Sequence, residues 1–244
     1  MGVVNPGFYI VIPVYNGASL LPDLIRRLTD LSAPSAQIVL VDDGSRDESW
    51  EVISHSSGVR GIRLDKNRGQ QSAILAALTT CRGKTVITMD DDLSHPLQTI
   101  PFLLRAVEDG TDLAYALPPR RPGAPFRRLS SRMHQIHMSL ITGTALFIRV
   151  GSFRALSPDL ISRILSEPLS FPYISAQALS LRPAPSVVMV DTPPFTPGKN
   201  GRFSLFSLIK LELSLAAAYG PWSRAPQGMN TGEIAGSWIA EVSG

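Results

Sequence analysis

Three consecutive carboxylates, Asp90, Asp91 and Asp92, follow directly on the run Val86-Ile87-Thr88-Met89. A mostly apolar, β-branched run of this kind reads as a buried strand, so the carboxylates stand where a strand ends. In open α/β sheets, ligands bind at the carboxyl ends of the strands. Side chains alternate along a strand, so Asp90 and Asp92 are expected to face one way and Asp91 the other. Two same-facing carboxylates offer hard oxygen donors to Mg2+ or Mn2+, cations that also grip a diphosphate. An acidic turn that merely ends a strand has the same three-residue pattern, so the other strand ends decide between the two readings.

A second strand, Gln37-Ile38-Val39-Leu40-Val41, runs into Asp42-Asp43-Gly44-Ser45, with Arg46 and Asp47 after it. A third, Tyr9-Ile10-Val11-Ile12, ends in Pro13-Val14-Tyr15-Asn16. Three strand ends carrying polar or turn-forming residues describe one ligand edge.

The elements that position these residues alternate. Strand 8–14 is followed by an amphipathic helix over 18–31, with Pro22 tolerated in its first turn. Strand 37–41 precedes a short helix over 45–54, capped by Ser45 with Glu48 three residues on. Strand 59–64, helix 70–80 closed by Gly83, strand 84–89 and helix 97–108 continue the pattern. Repeated βα units predict an α/β fold, a Rossmann-like, mainly parallel sheet covered by helices, with a less regular C-terminal half. Pro118, Pro119, Pro122 and Pro125 interrupt regular structure after Leu117. Strands are expected over 143–150 and 186–191, and a Pro- and Gly-rich loop precedes an apolar helix, Leu205–Tyr219. After Pro221 there is little periodicity, and a mobile tail over 221–244 is expected. The reading is one domain over 1–220, divided at about residue 117.

At 244 residues, with 44% hydrophobic and 18% charged residues, the chain has the composition of a globular protein and not a disordered one. A net charge of +3 is too small for a general basic coat, so no nucleic-acid partner is expected. The single cysteine, Cys81, excludes an internal disulfide framework and a cysteine-rich zinc site. It is expected to be buried near a helix end. The first residues lack signal-peptide character, and no apolar stretch reaches the ~18 residues of a membrane span. The expected location is cytoplasmic.

Four ordered motifs now carry a resemblance. They are Ile12-Pro13-Val14-Tyr15-Asn16, Val41 through Asp47, Asn67-Arg68-Gly69-Gln70, and Met89 through Pro96. Over residues 8–120 the chain resembles family-two glycosyltransferases of the GT-A fold, most of all the polyprenyl-phosphate, dolichol-phosphate mannose synthase-like branch. A weaker match covers Gly198 through Leu205. The resemblance implies that 8–117 binds a GDP- or UDP-sugar and that 118–220 receives the acceptor. It implies that Pro13, Tyr15 and Asp42 line the base and ribose pocket, with Asn16 and Asp91 also binding nucleotide. Asp43 supports the strand end, and Asn67 and Gly69 shape a loop over the nucleotide. Asp90 and Asp92 form the DxD pair that holds Mg2+ or Mn2+ against the donor diphosphate. Two departures stand out. Gly17 replaces an acidic residue that usually follows Tyr-Asn. The family's mid-chain Gly-Phe-Arg segment finds its match at Thr142 through Phe147, which has no Arg, so acceptor or sugar recognition is expected to differ.

A hydroxyl acceptor needs a general base, for which Asp159, Glu167, Asp191 and Glu212 are the candidates. A phosphate acceptor is already ionised and needs cations instead, and arginine suits bidentate phosphate contact. Arg120, Arg121, Arg127, Arg128, Arg132, Lys199 and Arg202 supply them. Of these, Arg120 and Arg202 are assigned to catalysis with Asp90 and Asp92, and Arg128, Arg132 and Lys199 to the acceptor phosphate. Helix 205–219 fits a peripheral membrane contact, a core helix or a homodimer surface equally well. His95 is a candidate metal or phosphate contact, and His134 and His137 fit a polar helix face better than a metal pair.

The expected activity is a metal-dependent, inverting glycosyl transfer from a nucleotide-sugar to polyprenyl phosphate. The alternatives are a soluble glycosyltransferase with a small-molecule acceptor and a non-catalytic nucleotide-sugar-binding subunit. A nucleotidyltransferase is a more distant rival.

Overall fold

Strand β1 (Phe8–Val14) is apolar almost throughout and lies between two parallel partners, β2 (Ala36–Asp42) and β4 (Thr85–Thr88). A computed structural model describes residues 7–30, 35–117, 125–143, 149–168, 171–183, 187–191, 205–219 and 230–244, with the side chains of 125–131, 187–191 and 205–209 outside the description. Strand β3 (Val59–Leu64) extends the parallel sheet beyond β2. On the other side, β6 (Arg154–Leu156) pairs antiparallel with β4 and with β5 (Leu113–Leu117), and β5 pairs parallel with β7 (Val187–Asp191). A last strand, β8 (Ile239–Ser243), pairs antiparallel with β3 and closes that edge. Among the described residues, eight strands form one sheet in the order β7-β5-β6-β4-β1-β2-β3-β8.

Alternation along the central strands feeds two cores. Val11, Val39, Val41 and Val86 face one side, where α3 (Gln70–Thr80), α6 (Pro158–Ser166) and α7 (Ile174–Ser180) pack. Ile10, Ile12, Leu40 and Ile87 face the other, against α1 (Leu21–Thr29), α2 (Ser49–His55) and α4 (Ile100–Glu108). With both faces covered, the strands read as continuous apolar runs. Each fully buried Leu, Ile or Val contributes about 1.5–3 kcal/mol. The polar strand ends lie outside both cores.

Strand 59–64 and helices 70–80 and 205–219 (α8, Leu205–Tyr219) have the expected bounds. Other expectations need correction. Helix α1 begins at Leu21 and not at 18, with Pro22 in its first turn. Helix α2 begins at Ser49, because Ser45 is occupied elsewhere: its N–H donates to Asp42 Oδ1 at 2.9 Å and its Oγ accepts from the Asn16 N–H at 2.9 Å. No strand spans 149–150, which follow α5 (Pro125–Thr142) and Gly143, and 144–148 lie outside the described residues. The tail is structured over 230–243. There α9 (Thr231–Gly236) starts in a capping box between Asn230 and Glu233 and leads into β8. A six-residue helix and an edge strand are too short for periodicity to reveal.

Helices α5 and α8 are joined by a polar clasp. His134 Nδ1 lies 2.6 Å from Glu212 Oε1, and His137 Nδ1 contacts Oε2 of the same carboxylate. The spacing of three along α5 puts both imidazoles on one face, and that face meets α8 instead of solvent. Burial alone would raise the Glu212 carboxyl, but the bonds from His134 and His137 outweigh it and hold the group below its ordinary value.

Two predictions follow from this packing. At Gly44 (φ +66°) a Cβ would lie 2.6 Å from the backbone N of Asn67, and the left-handed conformation itself disfavours a side chain. Gly44→Ala is expected to destabilise the fold by at least about 1–3 kcal/mol, measured by denaturant unfolding. A carboxyl with a depressed folded pKa contributes stability above its unfolded value and loses it as pH falls through the folded one. Glu212→Gln is therefore expected to cost about 1–3 kcal/mol at neutral pH, and the gap to the natural chain should close below pH ~4.5 as the wild-type carboxylate protonates.

Candidate active site

The loops after β1 and β2 are laced together by short polar side chains. Asn16 takes φ +53°, a conformation asparagine tolerates, and its Oδ1 accepts from the Arg46 N–H at 2.9 Å. The Gly17 N–H donates to Ser49 Oγ at 2.9 Å, and the Ala18 N–H to Asp47 Oδ2 at 3.1 Å. Tyr15 stays 44% exposed beside them, an open aromatic face.

The two carboxylates that end β2 have different surroundings. Asp42 is fully buried, with Oδ1 on the Ser45 N–H and Oδ2 3.3 Å from Arg63 Nε. Asp43 accepts the backbone N–H groups of Arg68 at 2.7 Å and Gly69 at 2.8 Å. Burial still raises its carboxyl, with the charge of Asp42 adding to the effect. Asp43 thereby anchors the turn at Gly69 (φ +88°) from which α3 starts. Asn67 is exposed beside it.

Strand β4 stops at Thr88, so alternation does not extend through the acidic run. Asp90, Asp91 and Asp92 all line one cavity of about 340 Å³, together with Pro13, Val14, Tyr15, Asn16, Gly17, Leu20, Asp43 and Gln70. The expectation that Asp91 faces away is corrected by this chain turn, which passes through Leu93 at φ +58°. Asp90 is gripped on both oxygens. Gln70 Nε2 donates to Oδ1, Ser152 Oγ donates to Oδ2 at 2.6 Å, and His95 Nε2 lies 3.1 Å from Oδ2. Burial would raise this carboxyl, but the three bonds outweigh it and keep it low. Asp91 is pushed up to about 6 by burial and by the charge of Asp90. Its Oδ2 is 3.1 Å from where a Cβ on Gly17 would sit, so an acidic side chain there would crowd a carboxylate. Asp92 Oδ1 accepts the Ser94 N–H at 3.0 Å.

Among the residues expected at the site, Pro13, Tyr15, Asn16, Asp43, Asp90, Asp91 and Asp92 share this cavity, whereas Asp42, Asn67 and Gly69 are absent from its wall. Arg120, Lys199 and Arg202 lie outside the described residues, as does the side chain of Arg128 in α5. Arg132 is exposed on α5. Asp159, Glu167 and Glu212 do not line the cavity, and the side chain of Asp191 lies outside the description. A larger cavity of about 640 Å³ lies beside α1 and residues 93–98 and holds none of the three aspartates. Cys81 is buried, which raises its thiol to about 11 and leaves it unreactive at neutral pH.

Gln70, Ser152 and Arg154 were not among the expected site residues. The run Gly151-Ser152-Phe153-Arg154 holds a Gly, a Phe and an Arg in order, and it is a better match to the family segment than Thr142 through Phe147. Ser152 interrupts the pattern, and that same residue bonds to Asp90. Phe153 packs against the His95 ring with centroids 4.8 Å apart. Arg154, 1% exposed, donates from Nη1 to Ser175 Oγ at 2.6 Å.

Among the described residues, no three His, Cys, Asp or Glu side chains converge as a ready-made ion cage. Two or three hard carboxylates open to one cavity nevertheless fit Mg2+ or Mn2+, whose remaining ligands come from phosphate oxygens and water.

The family model for glycosyl transferase family 2 matches residues 9–165. An undecaprenyl-phosphate 4-deoxy-4-formamido-L-arabinose transferase of Pseudomonas fluorescens (strain SBW25) is 39% identical over 145 residues, 56% of this chain and 42% of that protein. The protein of that description from Yersinia pestis (strain Pestoides F) is 38% identical over 145 residues, covering 56% and 44%. The chain thus spans less than half the length of these curated relatives. Among solved structures, glucosyl-3-phosphoglycerate synthase from Mycobacterium tuberculosis, in complex with Mn2+, UDP-glucose and glycerol 3-phosphate, superposes with a TM-score of 0.63. The identity is 19%, over 88% of this chain and 80% of that one, a likeness of fold.

The Asp43 anchor is directly testable. Asp43→Ala leaves two backbone N–H groups without their charged acceptor, at a cost of about 1.5–3 kcal/mol. Thermal unfolding should register that loss, and calorimetry with a nucleoside diphosphate should show weaker binding than in the natural chain.

Proposed function

This chain belongs to glycosyl transferase family 2, and from that premise we propose that it moves a sugar, with inversion, from a nucleoside-diphosphate donor to polyprenyl phosphate. The observation that carries the reading is the convergence of Asp90, Asp91 and Asp92 on one cavity at the ends of β1, β2 and β4. Asp90 and Asp92 would hold Mg2+ or Mn2+. When bound, the ion offsets the charge that builds on the departing nucleoside diphosphate, in place of a protonating residue.

The chain's own residues have separable tasks. Gln70, Ser152 and His95 keep Asp90 ionised and in one orientation before any ligand arrives. The start of α3 opens onto the same cavity through Gln70, and the free N–H groups of a helix N-terminus favour phosphate. Tyr15 offers a face on which a base stacks. Asp43 holds the 68–69 turn beside the nucleotide. Whether the donor carries UDP or GDP is a matter of base contacts. The solved neighbour's complex with UDP-glucose supports uridine.

The acceptor assignment draws support from chemistry and from the relatives. Among the described residues, the carboxylates lining the cavity are Asp43 and the three aspartates, and a phosphate acceptor needs no general base. The relatives are described as undecaprenyl-phosphate transferases. Arg120, Arg128, Arg132, Lys199 and Arg202 are proposed to receive the acceptor phosphate.

A thermal-shift panel of UDP, GDP, dTDP and CDP, each with and without Mn2+, tests the donor site, since a ligand that binds the folded state raises its apparent stability. One nucleotide is expected to give a metal-dependent shift, and none doing so would sink the reading. With that donor and undecaprenyl phosphate, Asp90→Ala and Asp92→Ala should each lower transfer by about 100-fold or more. Full activity in both variants would remove the carboxylates from the reaction.

A further inference from the structure

Residues 65–69 lead from β3 into α3, and two anchors hold them. The inner anchor is Asp43, a cavity residue that accepts the Arg68 and Gly69 N–H groups. The outer anchor comes from the segment 230–243. There the Trp238 carbonyl accepts the Asp65 N–H at 3.0 Å. The Trp238 ring also lies against the Arg68 guanidinium, whose central carbon is 5.0 Å from the ring centroid. Asp65 takes the edge of that guanidinium, with Nε and Nη2 donating to its two oxygens at 2.7 Å each. A carboxylate on the edge and an indole on the face leave the Arg68 side chain only 24% exposed, although Lys66 and Asn67 before it are exposed. A surface ion pair between residues three apart contributes little by itself. An aromatic face that excludes water from the cation adds a second contact.

Trp238 can serve as an anchor because its own segment is fastened. Thr231 is fully buried, and its N–H and Oγ1 each donate to the Glu167 carbonyl at 2.7 Å. Helix α9 packs on α3 and α6, so closely at Gly232 that a Cβ there would lie 3.1 Å from the Leu165 carbonyl oxygen. Beyond it, β8 pairs with β3 and sets Ile239 opposite Leu64. Trp238 stands at the joint between α9 and β8, half-buried against the core beside α3. Among the described residues, none from 230–244 lines the cavity. We infer that Trp238 is a positioning residue for the donor, holding the 68–69 turn and the start of α3 through Arg68 and Asp65. The line of contacts runs from the Trp238 ring to Arg68, from the Arg68 N–H to Asp43, and from Gln70 to Asp90. The inference rests on the proposed donor site, but the anchor itself is measurable without any ligand.

Hydrogen exchange on the full chain, read by mass spectrometry over peptides spanning 65–70, tests the anchor. In Trp238→Ala the Arg68 and Gly69 amides are expected to exchange at least about fivefold faster, while β1 and β2 keep their protection. Trp238→Phe retains an aromatic face and should restore most of that protection. Arg68→Gln leaves the indole in place and tests the same contact from its other side. It should also speed exchange, and adding Trp238→Ala to it should change little further. Calorimetry with UDP and Mn2+, at a temperature where every variant is folded, reads the consequence. Affinity in Trp238→Ala should fall by about fivefold or more. Unchanged exchange over 65–70, or loosening shared equally by β1 and β2, overturns the inference and leaves Trp238 a cover for the sheet edge. A natural chain that binds none of UDP, GDP, dTDP and CDP overturns the donor reading and this inference with it. A nucleotide bound equally well by the natural chain and by Trp238→Ala overturns this inference alone.

Discussion

Carboxylates crowded at one sheet edge repel one another, and much of the molecule is arranged to hold them there. Asp90, Asp91 and Asp92 follow a buried strand with no cation among the described side chains lining their cavity. Donors from three separate parts of the chain offset the repulsion at Asp90. Gln70 comes from the start of α3, His95 from the loop itself and Ser152 from the approach to β6. Asp91 has no comparable set of donors, and its raised carboxyl registers the cost. A site that concentrates negative charge in this way is primed for a cation.

The same constraint explains the tight lacing of the neighbouring loops. The turn after β2 is crossed so closely by Lys66 and Asn67 that only glycine fits at position 44. Asp43 reaches over that crossing to the Arg68 and Gly69 N–H groups and fixes where α3 begins. Helix α3 then carries Gln70 to Asp90. Strand ends, turn and helix start form one continuous polar unit, and a shift in any part would displace the acidic run.

The region around α5 and α8 follows a different logic. Two histidines share one glutamate, and the helices so joined leave apolar side chains facing outward. The half-buried acid faces its two histidines between the helices, while Leu140 and Leu213 stay exposed.

The sequence by itself determined the central strands, helix 70–80 and helix 205–219, because long apolar runs and strong helical periodicity allow one burial pattern. It also placed the acidic clusters at one sheet edge, because parallel strands end on the same side. Only the tertiary structure decided which carboxylate does what. Asp42 and Asp43 are adjacent and both buried, yet Asp43 lines the cavity and Asp42 does not, because Arg63 and Ser45 close over the first. Asp91 joins Asp90 and Asp92 because the strand stops at Thr88, and side-chain pattern does not report where the backbone leaves the sheet. Ser152 and Glu212 found their partners 62 and 75 to 78 residues away, and contacts of that range arise from packing, with no local periodicity to announce them.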